Sequence, residues 1–270
     1  MGSSFLSDSP PRLAGRLDLG IIAAMNVDAC FDRLKDAAAR AGFSFTIYGR
    51  AGDWELPVLK RDPESEGSRI YLSSGIHGDE PAGPMALLDL LRRDAFPRGA
   101  AYTIFPLLNP RALAVGTRET PEGLDLNRDY GPEPRSHEIR AHMAAMGDQR
   151  FDCGLCLHED YDGEGFYLFA HQREDVHTDF PALALEAAGR HMSIDPRTEV
   201  DGMPARAGRV HPPPSVADPN RADLPEALRL FHFNKAAVVM TTETPSGWFL
   251  ETRRRVQCAV VERILAVVTE

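Results

Sequence analysis

The segment that most constrains this chain is a strand-like stretch, residues 69–75 with Ile70, Tyr71 and Leu72 at its centre, that runs directly into Gly75-Ile76-His77-Gly78-Asp79-Glu80 and then into a helical apolar pattern over residues 84–92. The first piece reads as a buried strand, and Met85, Leu87, Leu88 and Leu91 mark one face of the helix that Pro84 opens. Strand, polar loop and helix in that order form the repeating unit of a sheet covered by helices. The alternation continues downstream. Residues 102–108 predict a strand ended by Asn109-Pro110, residues 135–146 a helix, 151–157 a buried strand, 180–191 a helix and 236–240 another buried strand. An amphipathic helix over 254–268 closes the series, with Val256, Val260, Ile264 and Val267 on one stripe. Upstream, apolar spacing predicts a helix over 27–40 stopped by Gly42, then short strands over 43–48 and 54–59. The fold class expected is α/β, a mixed and largely parallel sheet between helices. Two stretches escape the pattern. Residues 112–134 read as a long loop of the kind that is often functional, and residues 197–221, stiffened by Pro212-Pro213-Pro214, read as an irregular excursion.

A chain of 270 residues buries most of its apolar surface in one core, so residues 16–270 are expected to form a single catalytic domain behind a loose leader over residues 1–15. The leader lacks the basic start and apolar run of a secretory signal, and no segment has the apolar length of a membrane crossing, which together predict a cytoplasmic protein with no membrane partner. A formal charge of -10 argues against nucleic acid as a partner, because that affinity needs a positive field. The four cysteines, at 30, 153, 156 and 258, are too sparse for a disulfide scaffold. Cys153 and Cys156 have redox spacing but lie in an apolar run, and they are read as buried structural thiols.

The chemistry gathers at strand ends. His77 and Glu80 sit three apart in the loop after one strand, and His158 ends another in Leu157-His158-Glu159-Asp160. In open sheets, ligands bind beyond the carboxyl ends of strands, and two imidazoles with one carboxylate leave a tetrahedral zinc an open position. Glu243 follows a third strand. A carboxylate there suits proton transfer from water to a leaving amine, with Glu159 and Asp160 as rivals on proximity. The 112–134 loop offers Arg118 and Arg128 beside Asn127, cations able to stabilise an oxyanion or to clamp a carboxylate, and Asp125, able to orient a zinc-binding imidazole.

Taken in order, His77-Gly78-Asp79-Glu80, Asn109-Pro110, Asp125-Leu126-Asn127-Arg128, Leu157-His158 and Thr242-Glu243-Thr244 resemble the motifs of the zinc carboxypeptidases and of the related succinylglutamate desuccinylases and aspartoacylases. The resemblance implies a mixed, mostly parallel sheet of about eight strands flanked by helices. It implies one zinc ion held by His77, Glu80 and His158, Glu243 as general base, Arg118 polarising the scissile carbonyl, Asn127 with Arg128 holding a terminal carboxylate, and Asp125 supporting His77. Two departures stand out. Residues 219–230 lack the tyrosine many carboxypeptidases place before the catalytic glutamate, leaving Tyr161 or Tyr167 as substitutes, and only 27 residues follow Glu243, which predicts an uncapped, more open cleft. The leading expectation is a carboxypeptidase-like hydrolase acting on a small peptide next to a free carboxylate. An N-acyl-amino-acid deacylase of the desuccinylase and aspartoacylase type is the alternative, and a non-catalytic metal or peptide binding protein is a third. Sequence alone leaves the oligomeric state open.

Overall fold

A computed structural model describes residues 24–64 and 66–269; the leader expected over residues 1–15 lies outside the described residues. The chain enters through α1 (Val27–Arg40), whose N-terminus is capped by the Asn26 side chain and which buries Leu34, Ala37 and Ala38. It then forms a hairpin of β1 (Ser44–Ala51) and β2 (Trp54–Arg61), turning at Gly52 and Asp53. Next come β3 (Arg69–Ser74), α2 (Ala82–Arg92), β4 (Ala101–Phe105) and a short α3 (Pro110–Leu113). α4 (His137–Met146), β5 (Cys153–Asp160), β6 (Tyr167–Gln172) and α5 (Phe180–Gly189) follow. Three short strands, β7 (Glu199–Val200), β8 (Met203–Arg206) and β9 (Arg209–Val210), precede α6 (Glu226–His232), β10 (Val238–Pro245) and α7 (Leu250–Val268).

The strands make one ten-stranded sheet in the order β1-β2-β4-β3-β5-β10-β6-β9-β8-β7. α1, α2, α5 and α7 cover one face through residues such as Leu34, Leu87, Ala184 and Val260, while α4 and α6 cover the other through Ile139 and Leu228. Among the described residues no helix is long and apolar enough to cross a membrane.

The sheet corrects the expected one in both number and direction. Five of the nine neighbour pairings are antiparallel, and only β4-β3-β5-β10 form a continuous parallel block. That block is what continuous apolar runs reveal, because parallel strands are buried on both faces. The strands beyond β10 are short or only partly buried. β6 mixes apolar with polar positions, and β7 to β9 lie within the stretch that reads as irregular.

Candidate active site

β3, β5 and β10 are adjacent or nearly so and parallel, so their carboxyl ends open on the same edge of the sheet. The loop after β3 folds back tightly. Gly75 has φ +65°, and a Cβ there would lie 2.8 Å from Leu113; a Cβ on Gly78 would lie 2.0 Å from the backbone of Ala112. Glycine is therefore required at both positions for the loop to pass under α3 and turn His77 and Glu80 inward. His158 arrives from β5, and Glu243 is its register partner on β10, so the two share a face of the sheet.

His77, Glu80 and His158 converge: one ligand atom from each lies within 4.8 Å of the others, and all three residues are buried. His77 Nδ1 is 2.5 Å from Glu80 Oε1, and His158 Nδ1 is 3.0 Å from Glu80 Oε2. The second contact is close but poorly aligned, and Glu80 Oε2 is left buried without a hydrogen bond. Such an orphaned oxygen is costly unless something else satisfies it, and two imidazoles with one carboxylate are the donor set of an open zinc site. The cluster fits a metal ion. Burial opposes a charge on His77, but the Glu80 carboxylate and the Asp125 hydrogen bond outweigh it and lift the imidazole to about 9. Glu80 is depressed below the usual carboxylate range, the two histidine charges overcoming its burial.

Asp125 sets the orientation. Its Oδ1 lies 3.0 Å from His77 Nε2 and also accepts the Asn127 N–H at 2.9 Å, capping the short 3-10 turn Leu126–Arg128. Engaging Nε2 leaves Nδ1 facing Glu80 and His158. Arg118 grips the other oxygen of Asp125 through Nε at 3.2 Å and Nη2 at 2.9 Å, which leaves Nη1 at 3.3 Å from His77 Nδ1. Asn127 spends its carbonyl on the N–H of Glu226, at 3.0 Å, so its amide donors are free for the cleft that it lines.

The rivals of Glu243 are occupied. Strand alternation turns Glu159 to the opposite face, where it is ion-paired to Arg253 and accepts the Ala82 N–H at 2.7 Å at the start of α2. Asp160 accepts from Arg197 at 2.9 Å and from the Tyr167 hydroxyl at 3.0 Å. Glu243 lines the cleft beside His158, and burial, reinforced by Glu80 against the pull of His158, raises its pKa well above the usual range. Of the two tyrosines considered, Tyr167 lines the cleft and Tyr161 is exposed.

The cleft has a volume of about 660 Å³. Asp201, Met203, Pro213, Val216 and Leu228 wall it, all contributed before Glu243 by the 197–221 stretch and by α6. Sequence reasoning also missed Gln257, which donates to the His158 carbonyl at 2.8 Å and accepts from Thr242 at 2.8 Å, tying the ends of β5 and β10 to α7. Its partners lie 99 and 15 residues away, so no local pattern reports it. Cys153 and Cys156 are free and buried, and their odd spacing on β5 puts them on opposite faces.

A helix-covered mixed sheet with a candidate two-histidine, one-carboxylate metal site at the ends of its parallel strands is consistent with a metal-dependent hydrolase. Residues 66–208, more than half of the chain, match the succinylglutamate desuccinylase/aspartoacylase catalytic domain, and the chain belongs to that family. A succinylglutamate desuccinylase from Vibrio parahaemolyticus is 32% identical over 106 residues, 38% of this chain and 29% of that protein. Carboxypeptidase SOL1 of Arabidopsis thaliana is 28% identical over 126 residues, 39% of this chain and 26% of that protein. The matched stretches thus span less than a third of either relative. A crystal structure from Shewanella amazonensis, described as a metallopeptidase candidate, shares the fold with a TM-score of 0.78 at 24% identity, covering 90% of this chain and 94% of that one.

Proposed function

We propose that the chain is a zinc-dependent amidohydrolase that removes the acyl group from an N-acyl amino acid. The observation that carries the choice over a carboxypeptidase is the size of the cleft, about 660 Å³ with residues from the 201–228 stretch in its lining, a volume suited to a small ligand. Membership of the desuccinylase/aspartoacylase family supports the same choice.

His77, Glu80 and His158 are the residues that would hold zinc. When bound, the ion supplies Lewis-acid chemistry that makes water nucleophilic near neutral pH. Glu243, raised by its burial, accepts the proton from the attacking water and returns it to the leaving amine. Arg118, aimed by Asp125, donates Nη1 to the carbonyl oxygen as negative charge gathers on it. Arg128 and the Asn127 amide hold the carboxylate of the amino acid. With its four thiols free and buried, the chain is proposed to work in the cytoplasm, as a single catalytic domain.

The test is kcat/KM for acetyl-, succinyl- and dipeptidyl-linked versions of one carboxyl-terminal residue with zinc-loaded protein. Preference for a single acyl group over the dipeptidyl substrate is the expected result. The reverse preference restores the carboxypeptidase reading, which the similarity to carboxypeptidase SOL1 favours.

A further inference from the structure

The lining of the cleft mixes charged and apolar groups. Three arginines line it: Arg118, Arg128 and Arg221. Arg118 is committed to Asp125 by a two-pronged contact, and Arg221 is committed to Asp223 in the same way, at 2.7 and 2.6 Å. Arg128 donates only to the Asn127 carbonyl at 3.1 Å, and among the described residues no carboxylate lies within 4.0 Å of it. The cleft therefore offers one uncommitted guanidinium. The lining also includes Phe169 from β6, Met203 from β8 and Leu228 from α6. His171, which also lines the cleft, is pushed down to about 4 by burial and by the neighbouring His232, so it is neutral at pH 7. Asp201 lines the cleft as well and adds negative charge.

A succinyl group brings one free carboxylate, and a glutamyl or aspartyl residue brings two. Any carboxylate beyond the first would have to leave water without a cation to meet it and with Asp201 nearby, the arrangement by which a site rejects a ligand. We propose that this cleft takes an N-acyl amino acid with a single carboxylate, held by Arg128, and an uncharged apolar acyl group, aromatic or branched, seated against Phe169, Met203 and Leu228. This assignment rests on the deacylase reading and departs from the dicarboxylic acyl group in the name of the Vibrio relative.

The experiment uses N-benzoyl-, N-acetyl- and N-succinyl-leucine. Steady-state kinetics on the zinc-loaded enzyme are paired with calorimetric affinities on zinc-loaded Glu243→Gln, which read binding without turnover. N-benzoyl-leucine is expected to exceed N-succinyl-leucine by at least about tenfold in both kcat/KM and affinity, the range by which pocket complementarity discriminates. Met203→Arg, on a half-buried hairpin position, supplies a second cation and is expected to narrow that ratio at least about threefold. Equal or better performance of the succinyl compound in both measurements overturns the apolar pocket and leaves the deacylase reading intact. Tighter binding of the benzoyl compound with no hydrolysis of any of the three supports the pocket and overturns the reaction. Absence of binding by all three overturns the pocket.

Discussion

Two buried histidine clusters lie against this sheet, and they differ in what their imidazoles touch. At the strand ends, His77 and His158 face a carboxylate whose Oε2 has no hydrogen bond, and arginines stand close by. Deeper under α4 and α6, His142 lies between Tyr71 and Tyr130, with contacts of 3.0 Å to Nε2 and 2.7 Å to Nδ1. Donor counting gives that second cluster a direction. Tyr71 donates to Glu226, so its oxygen accepts from His142 Nε2–H, and Nδ1 accepts the Tyr130 hydroxyl. Every nitrogen is satisfied, and burial alone pulls His142 down to about 3, whereas acidic neighbours carry His77 to about 9 against burial. Burial therefore does not mark a functional histidine. Direct contact of the imidazoles with a carboxylate does: Glu226 Oε2, beside the second cluster, is also buried without a hydrogen bond, but its carboxylate meets Tyr71 rather than His142.

The largest expected effect follows from that contrast. His158→Ala removes one ligand of the strand-end cluster, so zinc retention by elemental analysis and hydrolytic activity should both be lost, because three protein ligands are the minimum of a catalytic zinc site. His142→Gln, by comparison, should leave zinc content near one per chain. A variant His158→Ala that keeps full zinc and full turnover would break the comparison outright. Next in size is Glu243→Gln, which keeps shape and zinc but cannot take a proton; kcat should fall roughly 100-fold or more. Arg118→Ala should lower kcat by about 10- to 100-fold with a smaller change in KM, since its partner charge develops only in the transition state. A KM effect without a kcat effect would reassign Arg118 to substrate binding.

Much of the strand-end cluster is legible in the sequence because its parts are local. His77 and Glu80 share one tight loop, and the apolar runs that deliver His158 and Glu243 are unmistakable as buried strands. Convergence of the three candidate metal ligands follows from parallel strands ending on one edge. The His142 cluster is illegible for the opposite reason: Tyr71, Tyr130, His142 and Glu226 are scattered over 155 residues and each looks like an ordinary member of its own segment. The same holds for the cleft wall. Residues 197–221 carry no sustained period because their strands are two to four residues long, too short to register as alternation, so the wall is visible only once β6 supplies a strand for β9 to pair with.

The smallest effect sharpens the comparison through pH. His142 is held near 3 in the folded chain, whereas an unfolded histidine titrates at about 6.5. Between those values the unfolded chain binds a proton that the folded chain refuses. His142 therefore contributes stability that is present above about pH 6.5 and is lost progressively as pH falls toward 3, at up to about 1.4 kcal/mol per pH unit. Refusal has a structural cause, since a protonated Nδ1 would present a donor to the Tyr130 hydroxyl that now donates to it. Other groups also make the fold acid-sensitive, so the measurement is a difference. Denaturant unfolding of the wild type and of His142→Gln, followed at several pH values from 7 to 4.5, should give a steeper decline for the wild type. The variant begins less stable at pH 7, by roughly 1–3 kcal/mol for the disrupted buried hydrogen bonds, and the two curves should approach one another as the pH falls. Parallel curves would mean that His142 is charged in the folded protein and that the two clusters are less different than their geometry implies.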